Sequence, residues 1–397
     1  MRILYSFPHP IGSPGIGNTA LHQALGLVGR GHHVTVITTS VHKNAPNLPN
    51  VIKTMEFGKI RVPHRLFGMD LSMAYHDYQV SRHLQGNPEA YDVVHCWPGA
   101  ALITSRAASG LGIPAVREVP NTHTANAYEV VGRLCDELGL ELPRGDSHRP
   151  NVERLKREEA EYEANLRLLV PSDHVAETFT DRGYPAEKLL RHRYGFDPGS
   201  FAPKEPRSFA PKGEPRANGL RAVFMGSVGP RKGLSVALEA WRRSHAYESA
   251  EFSIYGKLVE GYGSVIEPYL RLPGVTLRGF TPDTEGAFQS SDVLILPSYE
   301  EGSALVTYEA QGCGVVPLVS NASGADCIHG VTGLIHRAGD IDELAGHIRL
   351  VIDKPDVLQV MRSSILQGRE RLTWDAAAER LEECYLLARE ACSGFQA

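Results

Sequence analysis

Runs of aliphatic and β-branched residues alternate along this chain with stretches whose apolar positions recur every three to four residues. Residues 2–7 open as a strand, and 19–31 has helical spacing at Leu21, Leu25 and Val28. HHVTVITT at 32–39 then reads as a buried strand. The alternation continues with strands at 91–97, 115–119, 168–170 and 191–194, and helices at 100–110, 152–166 and 173–182. A break follows. Residues 197–219 hold five prolines and three glycines without periodicity and read as a linker. The pattern then restarts with strands at 220–225, 251–255, 275–277, 293–296 and 315–319, and helices at 234–244, 340–352 and 374–391. Alternating strands and helices predict parallel sheets covered on both faces. The expected architecture is α/β, with two Rossmann-like, doubly wound domains facing each other across a cleft. They span 1–197 and 220–373, joined by a linker at 198–219. Segments 44–86 and 122–150 follow no pattern that predicts an element.

A length of 397 residues suits two domains rather than one core. Lys and Arg number 41 against 46 Asp and Glu, a formal charge of −5, so the basic excess of a nucleic-acid binder is missing. Six cysteines (Cys96, Cys135, Cys313, Cys327, Cys384 and Cys392) form no CxxC pair and no zinc spacing. They predict buried free thiols, which fits a reducing cytoplasm. The first residues make too short an apolar run for a signal peptide, and no stretch of about 18 apolar residues predicts a membrane span. Basic and apolar residues interleave in 59–67 (KIRVPHRLF), which leaves peripheral contact with an anionic surface open. The mixed-charge stretch 153–163 reads as a solvated helix face. Nothing in the sequence indicates an oligomeric state.

The densest chemistry lies in 297–320, PSYEEGSALVTYEAQGCGVVPLVS. It reads as strand end, tight turn, helix and strand, with Glu301 on the turn and Glu309 on the helix. In α/β folds the turn at a strand's carboxyl end is where ligands sit. If Ser303 caps the helix, Glu309 lies about two turns in, ~8–9 Å along the axis. That spacing suits hydroxyl groups at both ends of a sugar–diphosphate–ribose, whose diphosphate would meet the helix N-terminus. The plain alternative is two solvated glutamates. Earlier, GSVGPRKG at 226–233 sets Arg231 and Lys232 on a glycine-rich turn before a helix. Cations there oppose the helix dipole unless an anion binds, and they suit a diphosphate leaving group. Glycine turns also follow two further strands, at Gly256-Lys257 and Arg278-Gly279. These are ligand contacts or ordinary βα turns. GSPGIGN at 12–18 does not have the spacing G-x-G-x-x-G, which weighs against a nicotinamide-dependent oxidoreductase. His123, after a strand, and His95, ending another, are the histidine candidates.

The pattern PS-x-x-EGS-x-x-x-x-x-EA-x-x-x-G-x-x-P, with Gly226, Arg231, Lys232 and Gly233 before it, resembles the donor-sugar motif of family 4-like retaining glycosyltransferases of the GT-B fold. The likeness runs over nearly the whole chain and is densest over 169–374. The resemblance implies a glycosyltransferase of the hexosyl class, with a nucleotide-diphosphate-sugar as co-substrate, no further cofactor and no metal. A UDP-sugar is the default donor. It implies catalytic roles for Glu301, Arg231, Lys232 and His123. It implies donor contacts at Glu309, Gly226, Gly302, Ser303, Ala304, Leu305, Gly256, Lys257, Arg278 and Gly279. A closing N-terminal loop would use Gly15, Gly17 and Asn18. It also implies donor binding by the second domain, acceptor binding by the first, and a final helix over 374–397 that packs back on the first. The acceptor is an unidentified hydroxyl compound. Alternatives in the same fold are a phosphorylase, an epimerase or a non-catalytic nucleotide-sugar sensor.

Overall fold

The computed structural model describes the chain except for residues 44, 47, 58–59, 62–67, 204–218 and 395–397. Nearly all of the 59–67 segment and most of the expected linker therefore lie outside the described residues. Strands in chain order are β1 (Arg2–Ile11), β2 (His33–Val41), β3 (Val51–Lys53), β4 (Glu56–Phe57), β5 (Ile60–Arg61), β6 (Val93–Cys96), β7 (Ala115–Glu118), β8 (Arg167–Val170), β9 (Leu189–Arg191), β10 (Arg221–Met225), β11 (Glu251–Tyr255), β12 (Val275–Gly279), β13 (Val293–Leu296), β14 (Val316–Ser320) and β15 (Leu334–His336). The helices are α1 (Ile16–Gly29), α2 (Met69–Gly86), α3 (Leu102–Gly110), α4 (Thr124–Leu138), α5 (Val152–Ala164), α6 (Asp173–Thr180), α7 (Leu234–Arg243), α8 (Gly263–Leu270), α9 (Thr284–Gln289), α10 (Leu305–Gly312), α11 (Ile341–Asp353), α12 (Pro355–Gly368) and α13 (Trp374–Gly394).

Contacts divide the chain into two units. The first comprises Met1–Pro120, Asn151–Arg193 and Trp374–Ala397; the second comprises Asn121–Pro150 and Tyr194–Thr373. In the first unit seven parallel strands run in the order β3-β2-β1-β6-β7-β8-β9. In the second, six parallel strands run β12-β11-β10-β13-β14-β15. Continuous apolar runs make these strands because both faces are covered: Val293, Leu294, Ile295 and Leu296 are all fully buried. Helices cover the faces through apolar stripes, such as Leu234, Ala237, Leu238 and Trp241 of α7. Each strand order reverses once, between β1 and β6 and between β10 and β13. Such a switch point opens a crevice outside the strands' carboxyl ends.

Three expectations need correction. Segments 44–86 and 122–150 contain the long helices α2 and α4. The inward face of α2 has helical spacing, but much of it is polar: Ser72, His76, Asp77, Val80, Ser81 and Leu84. The Ser72 hydroxyl donates to the Gly68 carbonyl at 2.9 Å, and the His76 ring nitrogens lie 3.1 Å from the Ser6 hydroxyl and 2.9 Å from that of Thr54. Asp77 accepts from the N–H groups of Ile103 and Thr104 at 2.8 and 2.9 Å, which caps α3. In α4 the stripe is apolar (Ala127, Tyr128, Val131, Leu134 and Cys135) but is introduced by a histidine cap. The second correction is that residues 121–150 belong to the second unit. Leu138 and Leu140 pack on that unit's core, a long-range contact that chain order conceals. Third, the strand expected at 191–194 is β9, two residues earlier, in register with β8.

At the end of the chain, α13 packs on α1 within the first unit. His22 stacks on Trp374 with ring centroids 5.0 Å apart. Among the described residues the six cysteines are free, and no helix is long and apolar enough to cross a membrane.

Candidate active site

The turns that leave β10, β11, β12 and β13 are stitched to one another at the second switch point. Gly226 N–H donates to the Tyr255 carbonyl at 3.0 Å, Val228 N–H to Lys257 at 2.9 Å, and Gly256 N–H to Gly279 at 2.9 Å. Tyr299 N–H donates to the Arg231 carbonyl at 2.9 Å, joining the basic turn to the acidic one. Two glycines make this possible. Gly256 has φ 146°, and a β-carbon there would run into the Gly226 carbonyl. Gly233 has φ 68°, and a β-carbon there would run into the Pro297 carbonyl. Gly226 and Gly256 therefore hold the floor of the crevice together. Lys257 and Arg278 stand exposed on its β11–β12 side, beside Phe280, which is 80% exposed.

Arg231 and Lys232 end a 3₁₀ turn just before α7 and meet Glu301. Arg231 Nη1 lies 3.1 Å from Glu301 Oε1, and Lys232 Nζ pairs with the same oxygen. Burial opposes the charge on Glu301, but the two cations win and hold its carboxyl below the usual range. For Lys232 burial dominates and pushes the ammonium down despite Glu301. A second carboxylate, Glu300, shares the cluster. Arg231 Nη1 donates to its Oε2 at 3.1 Å and to its carbonyl at 2.9 Å. Glu300 also accepts from Thr122, at 3.2 Å from the N–H and 2.7 Å from Oγ1. His148 Nε2 lies 3.7 Å from Glu300, and its Nδ1 lies 3.1 Å from Asp146. Burial and Arg231 together lower the His148 imidazole.

Ser303 does not cap the helix. Its hydroxyl donates to the Gly324 carbonyl at 2.8 Å and contacts the Tyr308 hydroxyl at 2.9 Å. The helix α10 starts later, with Ala304 in the cap position and Leu305 first. Measured from the Ala304 cap, Glu309 is therefore five residues in, about 7.5 Å along the axis rather than the ~8–9 Å expected from Ser303. Gly302, Ser303 and Ala304 are buried beside that helix start. Glu309 is half-buried, and burial pushes its carboxyl up to about 7. Among the described residues no cation offsets that shift.

His123 caps α4. Its Nδ1 accepts from Ala125 N–H at 3.2 Å, which leaves Nε2 to carry the proton in the neutral ring. It adjoins Thr122, and so the Glu300 cluster. His95 is elsewhere, buried in the first unit, with Nδ1 2.6 Å from the Tyr385 hydroxyl. Burial lowers its imidazole to about 4. Gly15, Gly17 and Asn18 lie in the first unit at the start of α1: Gly15 is its cap with φ 80°, and Gly17 and Asn18 form its first turn. The second unit thus brings together Arg231, Lys232, Glu301 and Glu300 with the loop that carries His123. Glu300, Thr122 and His148 escaped the sequence reading. A doubled acid directly after Pro-Ser-Tyr is the one signal that could have flagged Glu300.

Residues 14–195 match the family model described as glycosyl transferase 4-like domain, and residues 219–354 match that described as glycosyl transferases group 1. The chain belongs to the family 4-like glycosyltransferases. It is 25% identical to a D-inositol 3-phosphate glycosyltransferase from Actinosynnema mirum, over 98% of this chain and 97% of that one. Alignments with four others of that name cover 26% of one and 62% of each of the other three. Sucrose-phosphate synthase from Thermosynechococcus elongatus has a similar structure, with TM-score 0.68 and 17% identity over 96% of this chain and 98% of that one. So does HepE from Anabaena in complex with UDP-glucose, with TM-score 0.64 and 16% identity over 96% and 98%. The fold of this family 4-like chain is GT-B, two Rossmann-like domains.

Proposed function

We propose that this glycosyltransferase moves a hexosyl group from a nucleoside-diphosphate-sugar to an acceptor hydroxyl with retention of configuration and without a metal. One observation carries the reading: Arg231, Lys232 and Glu301 converge at the β10–β13 switch point beside the start of α10. The two cations and the N-terminus of α10, with its helix dipole, form a cradle for a diphosphate. Binding displaces Glu301 from the cations and frees it to accept hydrogen bonds from the donor sugar. Glu309 accepts from the ribose. Gly302, Ser303, Ala304 and Leu305 line the diphosphate, and Gly256, Lys257, Arg278 and Gly279 border the base. UDP is the proposed nucleotide, in keeping with the UDP-glucose held by Anabaena HepE.

In the transfer step the acceptor oxygen attacks the anomeric carbon from the face that the diphosphate leaves. The bond from that carbon to the phosphate oxygen breaks, and its electron pair goes to the diphosphate. The acceptor's proton passes to a diphosphate oxygen. Arg231 and Lys232 stabilise the charge that builds there, the role a divalent cation has in other phosphate chemistry. His123 Nε2–H is directed toward a sugar hydroxyl. Gly15, Gly17 and Asn18 serve the acceptor side, and the first unit supplies the acceptor site.

Thermal unfolding with UDP, GDP and ADP and their glucose and mannose conjugates, with and without EDTA, tests the reading. A ligand at about 100 times its dissociation constant stabilises by about 2.7 kcal/mol. We expect one nucleotide series to stabilise, indifferent to EDTA. NMR of the product then reads the anomeric configuration. Stabilisation by none of them, or only with added metal, rejects the proposal. Binding without turnover against any acceptor identifies a sensor instead.

A further inference from the structure

Glu300 fills an unspecified position of the donor motif, yet it is 0% exposed, against 7% for Glu301. A buried carboxylate costs several kcal/mol unless it is well partnered, and its two oxygens serve different elements. Oε1 takes both donors of Thr122, at the turn that begins α4. Oε2 and the peptide carbonyl both take Arg231 Nη1. We propose that Glu300 is a positioning residue: it holds the Arg231 guanidinium and the Thr122–His123 turn in fixed relation, without touching the donor.

This role for Glu300 rests on the donor-site reading and follows from how charge is shared in the free protein. Two carboxylates face two cations. Glu301 is the counter-charge of both cations, and donor binding draws it away toward sugar hydroxyls. Lys232 then passes to the incoming diphosphate. Arg231 would be left without a fixed partner at that moment, were it not held by Glu300 through two acceptors on one nitrogen. Glu300 therefore keeps Arg231 aimed while Glu301 changes partner. The same carboxylate fixes Thr122, so His123 inherits its position from it. Positional errors of about 1 Å in such groups cost on the order of a hundredfold in rate.

The test compares wild type with Glu300→Gln, Thr122→Val, Arg231→Lys and the Glu300→Gln/Arg231→Lys double variant. The readouts are release of nucleoside diphosphate from UDP-glucose, GDP-mannose and ADP-glucose, calorimetric binding of UDP, GDP and ADP, and Tm. Glu300→Gln keeps an acceptor for Thr122 and nearly the native shape. We expect its Tm to stay within a few degrees and its nucleotide affinity within about threefold, with kcat down roughly 10- to 100-fold. The double variant should be no slower than the slower single one, because both changes disable the same guanidinium. Thr122→Val should lower kcat to a lesser degree at unchanged Tm. Wild-type kcat in Glu300→Gln overturns the proposal, and so do multiplying losses in the double variant. A purely structural residue would instead lower Tm and the active fraction and leave kcat per active site unchanged. Wild type that neither binds nor cleaves any of the three donors removes the donor-site reading itself. That result is distinct from an active wild type matched by Glu300→Gln.

Discussion

Replacing Glu309 by Gln should stabilise the free protein at alkaline pH and leave it unchanged at acid pH. The carboxyl on α10 is half-buried, and burial raises it from 4.5 to about 7. The folded state therefore holds this proton more tightly than the unfolded chain does. The carboxyl costs nothing below about pH 4.5, and its cost grows as pH rises and is complete above about pH 7. At 1.36 kcal/mol per pH unit, the interval from 4.5 to about 7 corresponds to about 3 kcal/mol. Residual water at the side chain reduces this to roughly 1–2 kcal/mol. Gln keeps the shape and removes the charge. In a unit of this size, 1 kcal/mol moves Tm by roughly 2–4 °C, so Glu309→Gln should melt roughly 2–8 °C above wild type at pH 8 and within error of it at about pH 4, below the unfolded value. Scanning calorimetry of both proteins at both pH values, without nucleotide, makes the measurement. An equal difference at the two pH values, or a less stable variant at pH 8, would refute the reasoning. The gain in stability should accompany a loss of function, because the ionised carboxylate is the proposed acceptor for ribose hydroxyls. Wild-type nucleotide affinity should accordingly fall as pH drops below 7, and that dependence should vanish in the variant.

The remaining predictions concern the same crevice. Glu301→Ala should reduce transfer at least a hundredfold while UDP binds as tightly as before or tighter, because Glu301 no longer competes with the diphosphate for Arg231 and Lys232. Calorimetry beside turnover assays separates the two effects, and a parallel loss of both would contradict the exchange of partners. Gly256→Ala forces a β-carbon into the Gly226 carbonyl at φ 146°. It should cost about 2 kcal/mol or more, read as a lower urea midpoint, although every charged side chain of the site is retained.

Much of this site was legible because its chemistry is local. Arg231-Lys232 on a glycine turn and Glu301 with Glu309 in one strand-turn-helix unit follow from residue type, short spacing and the strands beside them. The helix detail was less secure. Ser303 looks like a cap in sequence, but its hydroxyl is taken by Gly324, twenty-one residues on, so the cap is Ala304 and Glu309 sits one residue nearer to it than expected. The helix α2 was missed because its buried face is largely serine, histidine and aspartate; the partners of His76 and Asp77 come from Ser6, Thr54 and α3, far away in sequence. No hydrophobic pattern marks a buried face of that kind.

The sequence by itself determined two parallel α/β sheets, the point at which the strand pattern restarts, and the charged residues on which the proposed donor site rests. Periodicity and short motifs carry that information, because backbone pairing and helix faces are set by residues a few positions apart. Tertiary structure alone decided that residues 121–150 join the second unit, that Glu300 lies fully buried between Arg231 and Thr122, and that among the described residues burial of Glu309 is offset by no cation. Each of these depends on which distant segments come together, and burial and charge pairing act through space without regard to position along the chain.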